Sequence, residues 1–367
     1  MKAWRVYAVG DMRLDEVAEP RAEPGWVVVK VKVVQPSVTE VVRFHGHAAR
    51  RVEKFKKLIE EKAPVQLFGH EYSGEVVEVG AGVTSLKKGD RVAAEKSAVP
   101  CGKCSFCLSG LRSECRNVLN VGQQIPGCFA EYAALPAEVL VKMPDTMSYH
   151  EGACFQSLVA CVGATEVAQI QMGDTVVFLG QGAVGMGTMQ IARVAGAGVI
   201  ITTARRKRSL MLSKRLGADF TINAAETDPV EAIMELTGGL GADIVFETAG
   251  GSPSEGLSGF DTLRQAIKVV RRGGKIVQVA NITEPLEFRP SDITDKKVRY
   301  LPPFMFFDDI APKPRDYLVH LMATKRIQVE PTITHKLHGL DKTLEAFEIT
   351  GNKAHYDAVN PAQVVVS

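Results

Sequence analysis

Two short segments of the sequence combine residue types and spacing that could support chemistry. In the first, four cysteines fall within fifteen residues: Cys101, Cys104, Cys107 and Cys115. Thiolates this close together on one loop are typical of a tetrahedral zinc site, and four sulfur ligands leave no open position for a substrate. The spacing therefore predicts a lobe built around a structural zinc.

The second segment is a glycine-rich turn at 180–185, with the sequence Gly-Gln-Gly-Ala-Val-Gly. It directly follows an apolar, strand-like run at 175–179 and precedes a helical pattern, which is the context that makes this motif specific for dinucleotides. Its glycines allow a tight turn and close approach of the backbone to a pyrophosphate, and the helix N-terminus favours negative charge. The motif predicts five cofactor-binding residues: Gly180, Gly182, Ala183, Val184 and Gly185.

The residues after the next predicted strand bear on which nucleotide binds. An NAD site usually has Asp or Glu about twenty residues after the glycines, but this segment is Thr203-Ala204-Arg205-Arg206. Guanidinium groups suit a 2′-phosphate in charge and in bidentate geometry. We therefore predict NADP(H) in preference to NAD(H), unless these basic residues only begin the next helix and face water. The further predicted contacts are Thr203, Arg205, Arg206, Thr248 and Ala280.

The elements around the glycine turn indicate an α/β domain. Apolar runs alternate with helical patterns such as 184–195 and 209–216, and this alternation predicts βαβ units and a doubly wound parallel sheet. The predicted strands are 175–180, 199–203, 220–223, 243–247 and 275–280. Before about residue 144, short β-branched runs separated by Gly-rich turns predict a β-rich domain. The charged segment 50–62 predicts a solvated surface helix, in preference to a helix that grips a charged substrate.

Length, charge and cysteine usage exclude several classes of protein. A chain of 367 residues favours two domains, and a net charge of +2 without a long basic stripe argues against a nucleic-acid partner. The sequence shows neither a signal-peptide pattern nor a run of 18 apolar residues, so no membrane partner is expected. Seven cysteines, four of them clustered, fit a reducing compartment. We expect a cytoplasmic protein with a small-molecule substrate.

Together these features resemble the medium-chain dehydrogenase/reductase superfamily, in its zinc-containing alcohol, sorbitol and threonine dehydrogenase branch. The resemblance covers nearly the whole chain and rests on the two segments above, on Gly69-His70-Glu71, on the turn at 89–92 and on residues 127–132 after the lobe. It implies a GroES-like substrate domain at 1–152, a Rossmann dinucleotide-binding domain at 153–300 and a return to the first domain at 301–367. It also implies a homodimer or homotetramer.

The resemblance further implies a second, catalytic zinc. In the branch, a cysteine, the histidine of Gly-His-Glu and a Cys, Asp or Glu before the nucleotide-binding domain hold this ion. The matching positions here are Ser37, His70 with Glu71, and Gln156. A serine and a glutamine bind zinc poorly, so two of the usual ligands are replaced.

Three interpretations remain open. In the first, zinc binds through His70, Glu71 and a substitute among Cys154, His45 and His47, and the protein is an alcohol, polyol or cyclitol dehydrogenase. In the second, no catalytic metal binds, and Ser37, Thr39, His70 or Glu71 polarises an activated substrate such as a conjugated C=C. In the third, the protein binds nucleotide without catalysis. The remaining cysteines, Cys128, Cys154 and Cys161, are expected to be small buried residues.

Overall fold

The computed structural model describes residues 1–47, 49–251, 259–282, 285, 287, 289–302 and 314–367, without the side chains of 49–52, 54 and 314. Part of the predicted return segment, residues 303–313, lies outside this range. Among the described residues, no helix combines the length and apolar character that a membrane crossing requires. The chain divides into two compact units: unit 1 comprises 1–159, 308–323 and 333–367, and unit 2 comprises 160–307 and 324–332.

Unit 1 is rich in short antiparallel strands. Its central strand is Val-rich and buried at most positions, and it pairs with neighbours on both sides. The larger sheet has the order β16-β17-β3-β4-β5-β9, with β8 also paired to β3. The strands are β1 Lys2–Ala8, β2 Asp11–Glu16, β3 Trp26–Gln35, β4 Glu71–Val79, β5 Arg91–Ala94, β6 Ala98–Val99, β7 Leu119–Asn120, β8 Tyr132–Pro136, β9 Leu140–Lys142, β16 Lys336–His338 and β17 Gln363–Val365.

Unit 1 also contains α-helices. They are α1 Val38–Phe44, α2 Ala49–Lys62, α3 Ser105–Leu108, α4 Tyr149–Ala153, α11 Pro314–Ala323 and α12 Thr343–Gly351, while α5 Phe155–Ala168 crosses the boundary into unit 2. The predicted helix at 50–62 is present as α2. It is not wholly solvated, because Phe55 and Ile59 are buried in the hydrophobic core of the unit.

Unit 2 contains one six-stranded parallel sheet with the order β12-β11-β10-β13-β14-β15. Its strands are β10 Thr175–Leu179, β11 Val199–Ala204, β12 Phe220–Asn223, β13 Ala242–Glu247, β14 Val270–Gln278 and β15 Arg299–Leu301. Every predicted strand is present, although β14 starts five residues earlier than the prediction. This extension exists because Val270 pairs with Ala242 ahead of an irregularity in the register.

Both faces of this sheet are covered. Val177 and Leu179 belong to one hydrophobic cluster and Val176 and Phe178 to another, as expected when alternate residues of a strand point to opposite covered faces. The helices of unit 2 are α6 Ala183–Val194, α7 Lys207–Arg215, α8 Pro229–Leu236, α9 Asp261–Val269 and α10 Pro290–Thr294. The predicted doubly wound α/β sheet is confirmed.

Candidate active site and metal centre

The glycine turn joins β10 to α6 at the carboxyl edge of the parallel sheet. Gly180 has φ of +104°, and a Cβ there would lie 2.4 Å from the Cβ of Ala249. A Cβ on Gly185 would lie 2.3 Å from the carbonyl oxygen of Gly180. A Cβ on Gly182 would meet no atom of the described residues within 4 Å. Two glycines are therefore required by the protein's own packing, whereas Gly182 leaves space in front of the backbone.

The turn lies at the point where the strand order reverses. Strands β10 and β13 are neighbours, with β11 and β12 on one side and β14 and β15 on the other. Ligands of open α/β sheets bind at such a switch point. The Thr248 hydroxyl donates to the carbonyl oxygens of Leu179 and Gly180 at 3.0 and 2.8 Å, and the Gly180 N–H donates to the Thr203 carbonyl at 3.1 Å. Thr203 and Thr248 thus hold the turn from both sides.

The basic pair after β11 is placed at the start of a helix. Arg205 is exposed, and Arg206, half-buried, is the N-cap residue of α7 with extended backbone. Unpaired N–H groups and positive potential at a helix N-terminus favour an anion. The described segment from Thr203 to Arg206 contains no carboxylate. The arrangement can therefore hold a negatively charged group beside the end of β11.

Glu247, at the end of β13, is a functional candidate that the sequence analysis missed. Its side chain is fully buried, and its Oε1 accepts hydrogen bonds from the N–H groups of Ala249 and Gly250 and from the Thr262 hydroxyl. Among the described residues, the other oxygen, Oε2, has no hydrogen-bond partner. Burial raises the pKa of Glu247 against the opposing effect of these donors. A glutamate directly after the apolar run 244–246, at the end of the strand, was the available signal.

A second candidate site lies in unit 1, where α1 begins beside the start of β4. Ser37 and Glu40 form a capping box: the Glu40 N–H donates to the Ser37 hydroxyl at 3.2 Å, and the Ser37 N–H donates to Glu40 Oε2 at 3.1 Å. Glu40 Oε1 accepts the Gly69 N–H at 2.8 Å and lies 2.5 Å from His70 Nδ1. Glu40 therefore connects α1 to the Gly-His-Glu segment. The Ser-x-x-Glu spacing was its signal in the sequence.

His70 stands between two carboxylates. Its Nδ1 contacts Glu40, and its Nε2 lies 4.0 Å from Glu71 Oε1. The His70 side chain is 16% exposed, against 2% for Glu40 and 8% for Glu71, so only the imidazole reaches solvent appreciably. Burial opposes the imidazolium, but the charge and hydrogen bond of Glu40, with a smaller effect of Glu71, raise the pKa of His70. Burial raises the pKa of Glu71.

Behind Glu71 lies a buried network of amide side chains. Gln35 Nε2 donates to Glu71 Oε2 at 2.5 Å, and Gln363 Nε2 donates to Gln35 Oε1 at 2.8 Å. Gln363 Oε1 lies 2.6 Å from His150 Nδ1. Cys154 Sγ lies within 3.5 Å of the side-chain nitrogens of Gln363 and Asn360. The side chain of Cys154 therefore belongs to this network.

The other predicted site residues lie on or next to α1 and in α5. The Thr39 hydroxyl lies 3.2 Å from that of Ser37, and Gln156 is a half-buried residue in the first turn of α5. His45, at the end of α1, and His47 are exposed, with ring centroids 5.9 Å apart. Within the described part of the chain, only the cysteine lobe brings three or more His, Cys, Asp or Glu ligands close enough to share an ion. No substitute ligand joins His70 and Glu71 there.

The cysteine lobe has the geometry of a tetrahedral site. All four sulfurs lie within 4.8 Å of one another, with Cys104 Sγ 3.5 Å from Cys107 Sγ and 3.9 Å from Cys115 Sγ. Zinc with Zn–S bonds of about 2.3 Å places its sulfurs about 3.8 Å apart. The backbone amides of Lys103 and Cys104 lower the pKa of Cys101 to about 6, which favours the thiolate that binds metal. These residues fit a structural zinc. As predicted, Cys128, Cys154 and Cys161 are buried.

Comparison with known families covers both units. Residues 23–145 match the family described as "Alcohol dehydrogenase GroES-like domain", and residues 183–313 match the family described as "Zinc-binding dehydrogenase". The predicted GroES-like first domain is therefore confirmed.

Individual relatives extend over most of the chain. A sorbitol dehydrogenase from Halalkalibacterium halodurans is 31% identical over 90% of this chain and 90% of its own, and a D-arabitol-phosphate dehydrogenase from Enterococcus avium is 29% identical over 84% and 87%. A solved structure from Sinorhizobium meliloti 1021, assigned as a zinc-binding dehydrogenase and bound to NADP, has a TM-score of 0.82 and 28% identity over 99% and 98%. The chain therefore belongs to the zinc-binding, alcohol dehydrogenase-like branch of the medium-chain dehydrogenase/reductase superfamily, whose members are NAD(P)-dependent oxidoreductases.

Proposed function

We propose that the protein transfers hydride between NADP(H) and an alcohol or its carbonyl form, with a polyol or cyclitol as the substrate class. The observation that carries this proposal is the glycine turn at the switch point of the parallel sheet, with open space in front of Gly182. In this arrangement the pyrophosphate lies against the turn and the N-terminus of α6. Gly180, Gly182, Ala183, Val184 and Gly185 line it, and Thr203, Thr248 and Ala280 complete the site.

The choice of NADP(H) is supported by the residues after β11. A carboxylate that would bond a ribose 2′-hydroxyl is absent from 203–206, and two guanidinium groups stand at the N-terminus of α7. Arg205 and Arg206 bind the 2′-phosphate in this proposal. A relative of known structure from Sinorhizobium meliloti was solved with NADP, which agrees with it.

The choice of substrate class is supported by the relatives and by the site in unit 1. Relatives that cover 84% or more of the chain act on sorbitol and on D-arabitol phosphate, as their names state. We propose that unit 1 holds the substrate with Ser37, Thr39, His70, Glu71 and Gln156 near the reacting carbon and oxygen. The domain limits 1–152, 153–300 and 301–367, the homo-oligomer and the cytoplasmic location stay predictions.

The cysteine lobe has a structural part in this proposal. One zinc bound by Cys101, Cys104, Cys107 and Cys115 closes the loop 101–115 and contributes to folding, because the site has no free coordination position. It supplies no chemistry to the substrate.

The proposal is tested by nucleotide affinity and by turnover. Calorimetric titration of NADPH and NADH is made on wild type, on Arg205→Ala, and on Arg215→Ala, a matched control for an exposed arginine at the far end of α7. We expect Arg205→Ala to weaken NADPH binding by about tenfold, as for loss of one charge-assisted hydrogen bond, and to leave NADH nearly unchanged. Arg215→Ala leaves both affinities unchanged.

Two outcomes contradict the proposal at different levels. Tighter binding of NADH than of NADPH overturns the cofactor assignment alone. Tight NADPH binding without turnover of any member of a panel of polyols, cyclitols and their phosphates overturns the catalytic assignment and favours a nucleotide-binding module.

A further inference from the structure

A catalytic zinc needs three protein ligands and one open position for water or substrate. The three positions that the family would use are occupied here by Ser37, His70 and Gln156. A hydroxyl and a neutral amide are weak zinc ligands beside thiolate, imidazole and carboxylate. Of the three family positions, therefore, only His70 is a strong ligand.

Ser37 already has a structural task. Its hydroxyl accepts the Glu40 N–H and contacts the Thr39 hydroxyl, and its side chain is only 5% exposed. A capping residue held in this way cannot turn towards a metal without losing the first hydrogen bonds of α1. Glu40, the partner of Ser37 in the capping box, is also the carboxylate that contacts His70 Nδ1.

The remaining ligands do not complete the set. Glu71 Oε1 lies 4.0 Å from His70 Nε2, and the second oxygen of Glu71 accepts a hydrogen bond from Gln35. Cys154 is held by amide nitrogens of the network behind Glu71. Over the described residues, the search for three ligands around one point finds the cysteine lobe and not His70. The residues present do not fit a second zinc.

We infer that the site around His70 works without a second metal ion, and that the Nε2 edge of His70, oriented by Glu40, contacts the oxygen of the substrate. A buried carboxylate on Nδ1 fixes the imidazole and leaves Nε2 for the ligand. The inference rests on the proposed function. In the oxidation direction, the hydroxyl proton of the substrate would pass to His70 Nε2 as the C–H bond breaks and the C=O bond forms, and bound NADP⁺ would supply the acceptor for the hydride.

The test is the zinc content per chain, measured by elemental mass spectrometry after exposure to excess zinc and gel filtration. We expect one zinc in wild type and an unchanged count in His70→Asn. Cys104→Ser, the matched control in the lobe, lowers the count by one. The double variant Ser37→Cys with Gln156→Glu provides a three-ligand set and raises the count from one to two, and adding His70→Asn returns it to one.

Two zinc ions in wild type, or any zinc lost in His70→Asn, overturns the inference. Circular dichroism shows whether the double variant folds. If it does not, the zinc content of wild type compared with that of His70→Asn decides between the two outcomes. Failure of the proposed function is distinguishable, because nucleotide affinity and turnover are measured separately from zinc. With NADPH affinity retained, we expect turnover to fall at least a hundredfold in His70→Asn, and equal turnover overturns the contact with the substrate.

Discussion

The two candidate sites of this protein are built from different materials. In unit 2 the nucleotide site is made of backbone: a positive φ at Gly180, a close approach at Gly185, and the N-terminus of α6. In unit 1 the site around His70 is made of side chains that bind one another, with Glu40 serving both a helix cap and an imidazole. A site made of backbone is specified by glycines, so its motif can be read in the sequence. A site made of side chains depends on individual residues, so replacing two ligand positions can change its chemistry.

The largest expected effect is a substitution at the nucleotide site, which is made of backbone. Gly185→Ala places a Cβ 2.3 Å from a backbone oxygen that cannot move without opening the turn. We expect a loss of several kcal/mol of stability, in the range of overpacked cores, with loss of NADPH binding. Urea unfolding and calorimetric titration measure the two quantities.

Gly182→Ala is the matched variant, because its Cβ meets no protein atom within 4 Å. We expect normal stability but at least tenfold weaker NADPH binding, since the pyrophosphate must approach this backbone. Unchanged NADPH affinity in Gly182→Ala would show that the nucleotide does not lie against the turn.

A smaller effect concerns the buried carboxylate of the nucleotide site. Glu247→Ala leaves three donors without an acceptor, so we expect a loss of about 2 kcal/mol. Glu247→Gln keeps an acceptor oxygen for them and should cost far less. Urea unfolding of the two variants at pH 6 separates the loss of charge from the loss of hydrogen bonds.

The same residue predicts a pH dependence. Because burial raises the pKa of Glu247 above its unfolded value, the folded state binds more protons, and the stability contribution present below about pH 4.3 is lost as the pH rises through the folded pKa. Glu247→Gln should lack this decline. Parallel slopes for wild type and variant across pH 4 to 8 would show that Glu247 ionises as freely as in the unfolded chain.

The nucleotide site and the site around His70 also differ in how much of each could be predicted from the sequence. The parallel strands, the glycine turn and the cysteine lobe each depend on local patterns, and all are present where the pattern places them. The network around His70 and Glu71 was not predictable from spacing. Glu40 contacts His70, Gln35 contacts Glu71 and Gln363 contacts Gln35, and these residues come together only when β3, β4 and β17 pair. Replacement of two ligand positions was visible in the sequence, whereas the contact between Glu40 and His70 was not.

The smallest expected effect concerns the two capping boxes of unit 1, and it tests whether Ser37 does more than cap α1. Ser37 with Glu40 and Ser148 with Glu151 share the same Ser-x-x-Glu geometry. We expect Ser37→Ala and Ser148→Ala each to lower the free energy of unfolding by about 1 kcal/mol, the usual cost of an N-cap hydroxyl. Urea denaturation at one pH measures both. A clearly larger loss in Ser37→Ala would mean that this cap also stabilises the orientation of His70 through Glu40. Equal losses would mean that Ser37 contributes to stability only as the N-cap of α1.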